Sequence, residues 1–173
     1  MPLFLKIDCH DDMLESGLIL KEVIDFCKDA KEYGVNVLNI SRRNIITAVT
    51  LYEVATVDIK NVEDGERIRK ETGMFTMPCG RINTPEFAEK ILEDDKADLI
   101  VMARAQLADA NFCNKAKNGQ VNQIRYCSNS LYDPSIKHIT CIRNPGLLEE
   151  ATDSLSMTSH PKKVVIASGK EYL

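Results

Sequence analysis

The 173-residue chain has no 18-residue apolar run, so no transmembrane helix is expected. It has no excess of positive charge. Its 22 Lys and Arg stand against 26 Asp and Glu, a net charge of −4 with a pI near 5.4. That balance gives no electrostatic footprint for nucleic acid or an anionic membrane. The N-terminus, Met1-Pro2-Leu3-Phe4-Leu5-Lys6, lacks a basic region leading into a long apolar stretch. No secretory signal is expected, and the cytoplasm is the expected compartment. None of the six cysteines, at positions 9, 27, 79, 113, 127 and 141, forms a CxxC pair. A disulfide framework is not expected for an intracellular chain of this size. A dinucleotide fingerprint is missing as well: Ala167-Ser168-Gly169-Lys170-Glu171-Tyr172 has one glycine where GxGxxG needs three.

Hydrophobic residues make up 44% of the chain, enough for the core of one domain. Short apolar runs at Leu3–Ile7, Val35–Ile40, Met74–Met77 and Leu99–Met102 suit strands buried on both faces. Their starts lie roughly 25–40 residues apart, the spacing of βα units. Helical periodicity fills the gaps. Leu20, Val23, Ile24, Cys27 and Ala30 share a face, and Gly34 stops that helix. A second helix carries Val62, Arg67, Ile68 and Lys70 and ends at Gly73. A third carries Phe87, Ala88, Ile91 and Leu92, with Thr84 as N-cap and Pro85 at its first position. Ala105–Lys117 reads as a fourth, ending near Gly119. The order β-α-β-α-β-α-β-α predicts an α/β fold with a parallel sheet and right-handed crossovers, four βα units or half of an eight-fold barrel. Residues 120–160 read as loop, and Lys162-Lys163-Val164-Val165-Ile166-Ala167 as one more strand.

Two stretches carry the chemistry. Gly80-Arg81-Ile82-Asn83-Thr84-Pro85-Glu86 and Ala97-Asp98-Leu99-Ile100-Val101-Met102-Ala103-Arg104 each run from a short strand through a small residue and an arginine into a helix start. In a (β/α) barrel such turns hold a phosphate: backbone N–H groups, a helix N-terminus and an arginine converge on one anion. The alternative is that Arg81 and Arg104 are surface arginines paired with acids such as Glu86 or Asp109. Lys6, inside an apolar strand, either points into a barrel toward an electron-rich group or reaches solvent. Cys127, Cys141 and His138 are too few and too far apart for an ordinary metal site. His10 and His160 stand alone. Asp11-Asp12 and Glu93-Asp94-Asp95 read as solvated faces or helix caps.

Taken together, these residues resemble the Old Yellow Enzyme-like NADH:flavin oxidoreductases, in the branch of 2,4-dienoyl-CoA reductase, 2-enoate reductase and the bile-acid-inducible oxidoreductases. Gly80-Arg81-Ile82-Asn83-Thr84-Pro85 with Ala88-Glu89-Lys90-Ile91-Leu92 looks like the family's seventh-strand segment. Ala97–Arg104 with Leu107-Ala108-Asp109-Ala110 looks like its eighth. Asn114-Lys115-Ala116, Gly119, Ile124-Arg125, Cys127 and Cys141 with Asn144-Pro145 continue the likeness. The resemblance implies a partial (β/α)8 TIM barrel that binds FMN at the C-terminal ends of its strands. It implies FMN-dependent NAD(P)H oxidoreductase activity on activated alkenes such as an enoyl-CoA or enoate. Gly80, Arg81, Ala103 and Arg104 would hold the FMN phosphate. Lys6 falls where the family has an arginine near the flavin ring, and a lysine keeps the charge but loses the fork.

Departures from the family accompany the matches. Ser130 stands at the CxxC partner position of Cys127, and the third cysteine of the family's cluster motif is missing. Cys127 and Cys141 read as remnants, and loss of the iron–sulfur cluster is expected. The resemblance divides the chain into residues 1–120, the C-terminal half of a flavin-binding barrel; 121–160, a degenerate iron–sulfur segment and linker; and 161–173, the truncated start of a nucleotide-binding domain, with no FAD or NAD domain complete. Two expectations follow. The chain pairs with a separate N-terminal half, or with a second copy of itself, to make a flavoenzyme. Alternatively it is a non-catalytic remnant or scaffold.

Overall fold

The computed structural model describes residues 1–11, 17–42, 59–128 and 141–147. Three strands, β1 (Phe4–Asp8), β2 (Val37–Ser41) and β3 (Phe75–Pro78), form a parallel sheet in sequential order. The register places Lys6 beside Asn39, and Asn39 beside Met77. Helix α1 (Leu20–Glu32) crosses from β1 to β2 and α2 (Lys60–Thr72) precedes β3. Each strand begins and ends within two residues of the sequence expectation.

The helix boundaries follow from local chemistry. The Glu22 carboxylate accepts the Ile19 N–H at 3.3 Å and opens α1. Helix α2 closes on Gly73, which takes φ +63° and returns its N–H to the Arg69 carbonyl at 2.8 Å. Lys31 of α1 donates to the Thr72 carbonyl at 2.7 Å, a cation at a helix C-terminus. Helix α3 (Pro85–Glu93) starts as expected: the Thr84 hydroxyl accepts the Phe87 N–H at 3.3 Å, with Pro85 at the first position.

One face of the sheet meets the helices. Leu38 and Ile40 of β2 pack with Val23, Ile24 and Cys27 of α1 and with Ile68 of α2, all under 3% exposed. Leu5 and Ile7 of β1 border this cluster. Alternation therefore puts Phe4, Lys6 and Asp8, with Asn39, Ser41, Phe75 and Met77, on the opposite face. There Phe4 and Phe75 are 50% and 61% exposed. Sequential parallel strands with helices on one face belong to a barrel wall; a doubly wound sheet would cover both faces.

Two expectations are corrected. The fourth strand, expected over Leu99–Met102, is reduced to a single parallel bridge between Cys79 and Val101. Two β3 positions should donate toward it. Thr76 spends its N–H on the Asp98 carboxylate at 2.9 Å, and Pro78 has none. What remains is donation toward β3: Asp98 and Leu99 N–H to the Thr76 carbonyl, and Val101 N–H to that of Pro78 at 3.1 Å. The helix expected over Ala105–Lys117 is two, α4 (Arg104–Ala108) and α5 (Phe112–Lys117), followed by a 3-10 turn at Val121–Gln123. Asp109 breaks it. Its side chain, 1% exposed, accepts the Asn111 N–H at 3.0 Å, the Arg125 N–H at 2.9 Å and the Lys115 ammonium at 2.6 Å. An aspartate that bonds the backbone two residues ahead competes with a continuing helix.

Asp12, Ser130, His138, His160, the expected strand Lys162–Ala167 and the whole of 161–173 lie outside the described residues. Among the described residues no helix is long and apolar enough to cross a membrane.

Candidate anion-binding site

Past the C-terminal ends of β3 and of the bridged fourth strand, a cavity of about 170 Å³ opens. It is lined by Cys79–Asn83, Val101–Ala105 and Cys127. Gly80-Arg81 and Ala103-Arg104, two pairs from successive βα units, thus share one cavity. Pockets that enclose a drug-sized ligand run to roughly 300–1,000 Å³. This one suits a group the size of a phosphate.

Backbone geometry shapes the first wall. Gly80 takes φ +135° and Arg81 φ +42°, consecutive residues in a region that side chains disfavour. A Cβ on Gly80 would lie 2.8 Å from Asn61 Nδ2 and would sit on a backbone that side chains rarely adopt, so a larger residue here is strained and displaces Asn61. The second wall is the start of α4. Ala103 is its N-cap and supplies no side-chain acceptor, so the first amides of the helix have no intrahelical partner. With five residues α4 contributes little dipole; its amides and the Arg104 guanidinium are what it offers. Arg104 is exposed and makes no ion pair among the described residues. Asp109, its expected alternative partner, is taken by Lys115.

Lys6 is not in the cavity lining. It lies on the inner face of β1, exposed, two strands away from Cys79. Its charge still reaches that residue. Burial pushes the Cys79 thiol up from its ordinary value, the Lys6 ammonium opposes this, and Asp8 adds to it.

Sequence reasoning missed a polar network behind the strand ends. Cys9, fully buried, donates from Sγ toward the Ser41 carbonyl at 3.0 Å and toward Asp64 at 3.3 Å. Asp64 in turn pairs with Arg42, both nearly buried. Burial pushes the Cys9 thiol far up, reinforced by Asp64. Sequence reasoning also missed Asn61, whose only hint is an amide residue in the first turn of a helix.

Cys127 lines the cavity, and its carbonyl lies 3.4 Å from Asn83 Nδ2. The Cys141 turn docks close by: Asn144 donates to the Leu107 carbonyl at 2.9 Å and accepts from Arg125 at 3.2 Å, and Arg143 donates to the Tyr126 carbonyl at 3.2 Å. Cys127 and Cys141 are therefore held on adjoining segments. Among the described residues no three His, Cys, Asp or Glu side chains converge as metal ligands.

Comparison with known proteins places this geometry. The family model of the NADH:flavin oxidoreductase / NADH oxidase family matches residues 7–123. The chain is 32% identical to a metal reductase of Desulforamulus reducens over 189 aligned positions, covering 99% of this chain and 27% of that protein. It is 35% identical to an NADH oxidase of Thermoanaerobacter brockii over 118, covering 68% and 18%. Histamine dehydrogenase from Rhizobium sp. 4-9 superposes with a TM-score of 0.63 at 17% identity, over 87% of this chain and 22% of that one. The chain thus spans about a quarter of these proteins or less, and the described fold is part of a (β/α)8 barrel. On the match of residues 7–123, the chain belongs to the NADH:flavin oxidoreductase / NADH oxidase family.

Proposed function

We propose that this chain supplies the flavin-phosphate wall of an FMN-dependent NAD(P)H oxidoreductase of the ene-reductase type. The observation that carries the reading is the shared cavity of Gly80, Arg81, Ala103 and Arg104. Its size, the left-handed Gly80–Arg81 turn in its wall and the first amides of α4, which have no intrahelical partner, fit a phosphate. FMN, when bound, supplies hydride transfer from a reduced nicotinamide to an acceptor, here an activated alkene such as an enoyl-CoA or enoate. Arg81 and Arg104 neutralise the phosphate dianion. Gly80 lets the backbone approach it, and the Ala103–Arg104 amides donate to it. Lys6, on the inner face of the sheet, offers a cation to the electron-rich edge of the flavin ring.

The inner face supports a partner. Phe4 and Phe75 are half-exposed or more on a surface that a closed barrel would cover. A separate N-terminal half, or a second copy of this chain, would complete the wall. The iron–sulfur cluster is absent in this reading, with Cys127 and Cys141 as its remnants.

Titration of the purified chain with FMN, followed by quenching of flavin fluorescence, tests the proposal. Saturable micromolar binding that Arg104→Ala weakens about tenfold or more is expected, the size of a charge-assisted contact. No binding at high concentration overturns it and leaves the scaffold reading, in which the family describes ancestry.

A further inference from the structure

We infer that Asn61, on α2, is a positioning residue that sets the Gly80–Arg81 turn and thereby the phosphate wall. The inference rests on the proposed flavin-phosphate reading of the cavity. Asn61 belongs to a different βα unit from the turn it touches. Its carboxamide Nδ2 donates to the Cys79 carbonyl, the last acceptor before the chain turns. The same nitrogen lies 2.8 Å from where a Gly80 Cβ would stand. The next residue, Val62, is 3% exposed and packs in one cluster with Ile82. Two consecutive α2 residues therefore grip the turn from both ends, Asn61 before Gly80 and Val62 after Arg81.

The grip matters because of the backbone it holds. Arg81 has a side chain, yet takes φ +42°. Such a conformation persists where its surroundings over-determine it. The Cys79 carbonyl is tied down and Ile82 is packed, so both ends of the turn are held, and the pair between them runs along the cavity wall. The chemistry asks for asparagine. Ionised aspartate has no donor for a carbonyl, and glutamine carries its donor one methylene further from the backbone. Asn61 Oδ1 is buried with no hydrogen-bond partner among the described residues. The contact with the turn is made by the donor end alone.

The test compares FMN with riboflavin, which lacks only the phosphate, in the full chain and in Asn61→Ala and Asn61→Ser. Amide exchange at Gly80 and Arg81 is read in parallel by NMR without ligand. The expected result is a loss of FMN affinity of about tenfold in Asn61→Ala and less in Asn61→Ser, which keeps a donor, with riboflavin affinity unchanged. Exchange at Gly80 and Arg81 should speed up while that of β3 does not. An unchanged FMN-to-riboflavin ratio, or a parallel loss of both, overturns the inference and leaves the function reading standing. If the unmodified chain does not distinguish FMN from riboflavin, the function reading fails. Amide exchange then decides alone whether Asn61 sets the turn, and unchanged exchange in both variants overturns it.

Discussion

Asp98 holds Arg69 through two contacts of 3.0 and 3.1 Å and accepts the Thr76 N–H at 2.9 Å with the same carboxylate. One side chain thus joins α2, β3 and the start of the bridged fourth strand. Removing it leaves the strand amide without its acceptor and Arg69 with Asp95 as its remaining partner, at 2.9 Å. Asp98→Ala should lower the unfolding free energy by about 2 kcal/mol, discounted from a fully buried pair because Arg69 is 25% exposed. Urea denaturation followed by circular dichroism checks this. A loss under about 0.5 kcal/mol would assign the contact to the ordinary surface pairs.

Two glycines with positive φ should respond differently to alanine. Gly73 at +63° ends α2, and a Cβ there would meet only the flexible tip of Lys31 at 3.4 Å. Gly73→Ala should cost about 1 kcal/mol of stability and leave FMN binding intact. At Gly80 the added Cβ meets Asn61 at 2.8 Å as well. Gly80→Ala should remove most FMN affinity, and equal effects from the two variants in the FMN titration would refute the difference.

Acid stability should report on Asp109. Burial pushes its carboxyl up, but the hydrogen bonds from Lys115 and from the Arg125 and Asn111 amides outweigh that and hold it below the ordinary 3.8. A depressed native value stabilises the fold above the unfolded-state value, and that contribution fades as pH falls through the native one. Asp109→Asn should therefore be less stable than the parent at pH 7, and the gap should narrow below about pH 4. Thermal melts across that range measure it. A gap independent of pH would remove the carboxylate's charge from the account.

Thiol chemistry should sort the cysteines by environment. Cys113 is exposed; Cys9 and Cys27 are fully buried, with the Cys27 thiol pushed up to about 11 by burial. Since the thiolate is the reactive form, iodoacetamide at pH 8 should label Cys113 first, and Cys9 and Cys27 only after unfolding. Peptide mass mapping over time gives the order. Early labelling of Cys9 would mean that the network with Ser41 and Asp64 opens readily.

Periodicity made the wall of the barrel legible. The α1 face of Val23, Ile24, Cys27 and Ala30, and the Thr84-Pro85 start of α3, follow from patterns within a few residues. The two arginine turns were legible for the same reason, each being a strand-turn-helix signature. What escaped was decided across the fold. Nothing near Leu99 shows that Thr76 gives its N–H to a side chain. Nothing near Ala105 shows that Asp109 finds Lys115 and Arg125 and breaks the helix. Asn61 lies 18 positions before Cys79, and only the packing of α2 on β3 brings them together.

Pro78 has a consequence for how the sheet meets other chains. Toward the fourth strand, β3 presents carbonyls at Thr76 and Pro78; its one N–H is already spoken for by Asp98. A foreign strand arriving at this edge would find those carbonyls already taken by the Asp98, Leu99 and Val101 amides, and no free N–H at Thr76 or Pro78. Edge-to-edge aggregation needs unpaired donors and acceptors. The missing hydrogen that shortens the native pairing also makes the seam a poor template for growth by addition of strands.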